Sequence, residues 1–167
     1  MSDPSDPPGP PDSADPAGVV DRVERRLSAE HSDVLDGLST CADAVATEWN
    51  GGGDDHTPGE TSSAHSPRTT DRDAVVPAFQ RALDAAGLLA HLPRVLSDLV
   101  TAAGRPMPAP PVAAPPYVVV TSEGVLLRAS LGDGRLVVSL RVFDIDRAAV
   151  ETGYVRRDGV DARVEFR

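Results

Sequence analysis

The sequence predicts an α+β protein: one long and two shorter helices packed on a small four- to five-stranded antiparallel sheet, with disordered acidic, proline-rich arms. Three observations carry this expectation. Tyr117–Phe143 reads YVVVT, SEG, VLLRAS, LGDG, RLVVSLRVF, three β-rich runs that alternate with period two and are divided by two glycine-bearing turns. Residues 18–49 and 70–104 instead repeat their apolar positions at helical spacing. The 16 prolines and 14 glycines of the 167 residues are concentrated in three stretches outside these elements.

Residues 1–17 hold six prolines and four aspartates with almost nothing to bury, which predicts a disordered tail. These first residues have neither a basic n-region nor an apolar core, so no signal peptide is expected. Residues 18–49 place Val20, Leu27, Val34 and Cys41 seven apart, with Leu38 and Val45 joining the same stripe. That is the packing seam of one long amphipathic helix, weakened by about 1 kcal/mol at Gly37, where a break is the expected weak point. A dimeric coiled coil is the sharper reading of this seam, but four heptads with a glycine and a histidine on it specify little, so packing on the chain's own later helices is favoured.

Residues 50–69 (NGGGDDHTPGETSSAHSPRT) read as a flexible linker. A helical pair follows over 70–104. Thr70 is the expected N-cap, Pro77 falls near the first turn, and Gly87 separates the two helices. Leu88, Leu89, Leu92, Val95, Leu96, Leu99 and Val100 form the apolar stripe of the second helix. Pro93 predicts that its regular part begins late, near Leu92, and Gly104 closes it. Residues 105–116 are a proline-rich connector. The β region, 117–167, adds to its three runs a hairpin of Tyr154–Arg157 and Ala162–Arg167 about Asp158-Gly159. Residues 70–167 are expected to fold as one unit, with 18–49 packed on it.

Charge narrows the environment. The net charge is −10, all 16 basic residues are arginine, and aspartate outnumbers glutamate 19 to 7. Lysine is absent although it is ordinarily among the commonest residues. The combination fits molar salt, where the Debye length falls to roughly 3 Å and carboxylate repulsion is screened. No apolar run approaches the roughly 20 residues that span a bilayer, so a cytoplasmic protein without membrane contact is expected.

The β region is neutral, with eight acids against eight arginines, while each region before Arg105 carries an acidic surplus. Alternation puts Leu136, Val138, Leu140 and Val142 on the core face and Arg135, Val137, Ser139, Arg141 and Phe143 on the other. The open sheet face should then present Arg128, Arg135, Arg141, Arg163 and Arg167 against one strand carboxylate, Glu165. The remaining acids, among them Glu123, Asp144, Asp146, Asp158 and Asp161, fall in turns or connections. Such a face suits an anionic partner, since guanidinium matches carboxylate and phosphate alike. The favoured reading is plainer: charge on an exposed strand face is the ordinary outcome of one-sided burial, with the arginines paired to turn acids and to the acidic helices.

No constellation for catalysis emerges. Cys41 is the only cysteine, so no intramolecular disulfide and no cysteine cluster for zinc can form. It lies on the apolar seam with acidic neighbours, poor surroundings for a thiolate nucleophile. His31 and His91 are expected to be partly buried packing histidines. His56 and His65 lie in the linker beside Asp54 and Asp55, without a frame to fix metal ligands. The glycine turns lack the strand–loop–helix context of a phosphate cradle. Asp144 and Asp146 have no third ligand, and no cofactor is expected.

The pairing of DRDAVVPAFQRALDAAGLLAHLPRVLSDLV with PPYVVVTSEGVLLRASLGDGRLVVSLRVF resembles an uncharacterised family of short haloarchaeal proteins, a domain of unknown function. The resemblance covers roughly the last hundred residues and implies habitat, not activity. The combined expectation is a salt-adapted, non-enzymatic interaction module that binds another protein, or itself as a dimer through the first helix, or uses the open sheet face. The alternative is a nucleic-acid-associated protein using the arginine face, with the Tyr154–Arg167 hairpin as a wing.

Overall fold

Val118–Phe166 folds into most of one sheet because its alternating residues can bury a single face, and the helices before it supply the cover. The structure, a computed structural model, describes residues 15–50, 67–148 and 150–167. Among these residues the elements are α1 (Pro16–Glu30), α2 (Ser32–Asn50), β1 (Arg68–Thr69), a 3-10 turn (Arg72–Ala74), α3 (Val76–Ala85), α4 (Leu88–Ala102), β2 (Val118–Val120), β3 (Gly124–Leu131), β4 (Gly134–Asp146) and β5 (Gly153–Phe166). The strands form one antiparallel sheet in the order β1-β5-β4-β3-β2. This is the expected α+β class. The tail expected over 1–17 and the linker expected over 50–69 fall mostly outside the described residues.

One hydrophobic core lies between the sheet and the helices. Val118, Val125, Leu127, Ala129, Leu136, Val138, Leu140 and Val164 meet Leu27, Leu38, Phe79, Leu83, Leu92, Leu96 and Leu99 there. The expected long helix is two helices. The chain breaks at His31, not at Gly37, which lies inside α2 with Leu88 against its open side. The break lets α1 pack on α4 and α2 on α3 while both lie over β5. It also shifts the buried stripe of α1 to Val19, Val23 and Leu27, leaving Val20 only partly buried. Leu27, Val34, Leu38, Cys41 and Val45 are buried within the chain's own core, so that seam is already occupied.

Three local signals resolve differently from their sequence reading. Asp71, not Thr70, caps the 3-10 turn that precedes α3, its carboxylate accepting from the Asp73 N–H at 2.9 Å. Arg68–Thr69, expected in the linker, pairs with β5 as a short edge strand. Helix α4 runs regularly from Leu88 with Pro93 inside it. Proline this near the start removes one backbone bond, to the Leu89 carbonyl, and burial of Leu92, Val95 and Leu96 outweighs that loss. Gly104 closes the helix as expected, at φ +74°, with the Arg105 N–H on the Val100 carbonyl at 3.2 Å.

The largest correction concerns the end of the chain. Tyr154–Arg167 is not a hairpin: β5 is one continuous strand paired along β4. Asp158-Gly159 lies in a bulge, where the two steps of β4 from Arg141 to Phe143 face the five steps of β5 from Arg156 to Asp161. There is accordingly no wing. Strand β4 has its own bulge at the same level, because the N–H groups of Val142 and Phe143 both bond the Glu123 carbonyl, at 2.8 and 3.0 Å. The extra residue shifts the side-chain phase by one. Phe143, expected on the open face, therefore turns inward, 5.3 Å from the Trp49 ring and 5.2 Å from that of Phe79.

Candidate functional site

With the helices on one side, the register leaves Leu126, Arg128 and Ser130 of β3, Arg135, Val137, Ser139 and Arg141 of β4, and Asp161, Arg163 and Glu165 of β5 on the other. The arginine-bearing face exists, but it is divided into two ends of opposite electrostatic state. Near the bulges Arg141 bonds Glu123 at 2.7 Å and Asp144 at 3.3 Å, and lies 3.8 Å from Asp161. Arg157 bonds the same Asp144 at 2.6 Å, and Arg163 approaches Asp161 at 3.5 Å. Asp144, Asp146 and Asp161 were expected in turns. They lie in strands because β4 is longer than its apolar run and β5 never turns back, so Asp144 and Asp161 sit beside the arginines.

The other end is different. Arg128 and Arg135 are exposed and, among the described residues, meet no carboxylate. They flank a cleft of about 330 Å³ that Pro108, Pro116, Tyr117 and Ser130 complete. The Tyr117 carbonyl accepts the Arg128 N–H at 2.8 Å, which continues the β2–β3 ladder to the cleft wall. The connector is held across the sheet's end by Arg105, which bonds Asp133 at 2.7 Å and lies 5.3 Å over the Phe166 ring. Arg167 borders a shallower depression with Ser130, Leu131, Gly134 and Arg135, its guanidinium on Glu165 at 2.6 Å.

The other chemistry-bearing residues are accounted for structurally. The Cys41 thiol is buried, donates to the Ala82 carbonyl at 3.6 Å, and has its pKa pushed up by burial, the opposite of an activated nucleophile. His31 sits at the α1–α2 break with Nε2 2.7 Å from Asp98, which Arg26 also holds through two 2.8 Å bonds. His91 is exposed on α4, not a packing residue. His56 and His65 lie outside the described residues. Asp146 pairs with Arg68 at 3.0 Å. Among the described residues no cluster of histidine, cysteine and carboxylates is composed to hold a metal.

Sequence reading passed over Arg156. This side chain is buried with its guanidinium fully engaged: Nε on Asp43 at 2.8 Å, Nη2 on the Ser39 hydroxyl and carbonyl at 2.7 and 3.1 Å, and Nη1 on the carbonyls of Val142 at 3.0 Å, Gly159 at 3.1 Å and Arg157. It closes both bulges and ties them to α2. The available signal was its phase, two residues from inward-facing Tyr154.

Among the described residues no helix is long and apolar enough to cross a membrane. No curated protein matches the chain, and no solved structure does. A family model does match, over residues 21–167, from the first helix to the end of the sheet. The chain belongs to the family described as a domain of unknown function (DUF7988), as its resemblance to an uncharacterised family led one to expect.

Proposed function

We propose that the protein is an interaction module that receives an acidic, extended segment of another protein in the Arg128–Arg135 cleft. One observation carries the reading. Most other arginines of this face have a carboxylate neighbour, while Arg128 and Arg135 flank a cleft without one. Two guanidinium groups on neighbouring strands suit carboxylates presented by an extended chain. Tyr117, Pro108 and Pro116 add the apolar wall against which such a chain can lie.

The lysine-free, aspartate-rich composition supports placing the module in a salt-rich cytoplasm, and the resemblance stated above supports a haloarchaeal source. The apolar wall of Pro108, Pro116 and Tyr117, whose contacts salt does not screen, supports a protein segment over a nucleic acid, whose phosphate contacts weaken steeply as salt rises. The cleft offers one tyrosine and not a row of aromatic platforms for successive bases.

A fluorescent oligo-aspartate peptide, followed by anisotropy, tests the proposal. The wild-type chain should bind it, Arg128→Ala/Arg135→Ala should weaken binding by about tenfold or more, equivalent to 1.4 kcal/mol, and Arg141→Ala should leave it unchanged. Equal binding by the double variant, no binding by the wild type, or tighter arginine-dependent binding of a single-stranded oligonucleotide would each overturn it.

A further inference from the structure

We infer that the outer edge of β5 is a self-pairing edge: two copies of the chain join antiparallel through Ala162–Phe166 about a two-fold axis at Val164, making one continuous sheet. The inference concerns a different surface from the cleft and stands independently of it.

Strand β5 is paired along one side by β4, but on its other side β1 reaches only Tyr154 and Val155, with Pro67 accepting from Arg156. The C-terminal half of that side meets no strand among the described residues. Its hydrogen-bonding phase can be read from its end. Arg167 and Arg135 exchange both backbone bonds, at 2.7 and 3.0 Å, so Arg167 turns its peptide groups toward β4. Antiparallel alternation gives Glu165, Arg163 and Asp161 the same sense. Ala162, Val164 and Phe166 therefore direct their N–H and C=O groups to the outer edge.

A two-fold axis at Val164 makes those the groups that bond. Val164 faces Val164 of the second copy, and Ala162 faces Phe166, each as a hydrogen-bonded pair. The exposed face of the strand then decides the register. It reads Asp161, Arg163, Glu165, Arg167, alternating in sign. About Val164, Arg163 meets Glu165 of the second copy and Asp161 meets Arg167, so every facing pair is opposite in charge. An axis one residue earlier sets Arg163 against itself and Asp161 against Glu165. An axis one residue later sets Glu165 against itself and Arg163 against Arg167. The outward peptide groups can pair about any of these three axes, so the charges alone choose Val164.

Charge on an edge strand ordinarily blocks association. Here its order admits one register with one partner, a second copy in isologous pairing. The side chains are free to exchange partners. Arg163 and Arg167 are 67% and 74% exposed, and among the described residues each meets only a carboxylate two residues away on its own strand.

Light scattering after size exclusion of the full chain tests this, with circular dichroism to confirm folding. The wild type should show twice the chain mass. Arg163→Glu and Glu165→Arg should each reduce it to one chain mass, and the double exchange Arg163→Glu/Glu165→Arg should restore the dimer. A monomeric wild type, a single variant that stays dimeric, or a double exchange that stays monomeric would overturn the assignment.

Discussion

Arg156 and Asp43 stand 113 positions apart and meet at 2.8 Å, a guanidinium 6% exposed against a carboxylate 66% exposed. The asymmetry says which partner matters. Asp43 can return to water, whereas the carbonyls of Val142, Gly159 and Ser39 that Arg156 satisfies have no comparable substitute.

Replacing Arg156 with methionine keeps much of the volume and removes every donor. The expected cost is about 3 kcal/mol or more, because several carbonyls lose their donor and each buried group left unsatisfied costs about 1–3 kcal/mol. Asp43→Asn should cost about 1 kcal/mol or less, as for an exposed pair. Urea unfolding of both variants checks the order, and an Arg156→Met protein as stable as the wild type would remove the staple role.

Phe143 fills the space that its bulge opens toward Trp49 and Phe79. Phe143→Ala should cost about 3–5 kcal/mol. Trp49 is the only tryptophan, mostly covered and donating to the Ala74 carbonyl at 3.1 Å, so its emission should shift to the red in the variant. Were Phe143 on the open face, neither stability nor emission would change appreciably.

Gly124 begins β3 at φ +149°, and a Cβ there would land on the Leu140 carbonyl oxygen. Gly124→Ala combines backbone strain with a backbone clash and should destabilise by at least about 3 kcal/mol. Gly132→Ala is the control, with open space around the added carbon and an expected effect within about 0.5 kcal/mol. Thermal midpoints of the two proteins should separate clearly.

Asp98 makes the acid limb of stability predictable. The Arg26 hydrogen bonds, helped by His31, lower its pKa from 3.8 to about 2 against an opposing effect of burial. A folded value below the unfolded one stabilises above about pH 4, and that contribution disappears as pH falls from 4 through 2. Solvent screening limits it to about 1 kcal/mol. Asp98→Asn should lose that amount at neutral pH and fall less steeply below pH 4. Parallel acid-unfolding curves would contradict the assignment.

The candidate surface was legible in part. Alternation alone set Arg128, Arg135, Arg141, Arg163 and Arg167 on the open face, because a sheet with one buried side must expose the other. It did not separate Arg141 from Arg135, since their partners come from distant segments. Glu123 precedes β3 and Asp161 lies on β5, so the neutralised end depends on which strands are neighbours. The cleft depends likewise on Arg105 and Asp133 holding the connector across the sheet's end.

The sequence by itself determined the α+β class, the two short helices, the β3–β4 hairpin and the inward residues of its strands up to Val142. All of these rest on periodicity and turn chemistry within a few residues. Tertiary structure alone decided three things. It broke the first helix at His31, where α1 and α2 pack on different helices and Asp98 takes up the imidazole. It turned Phe143 inward, since a bulge is set by the partner carbonyl it shares. It drew the last strand through Asp158-Gly159, because β4 offers a ladder on both sides of the bulge and Arg156 satisfies the carbonyls within it. A turn signal fixes local geometry, but whether the chain reverses there depends on the strand beside it.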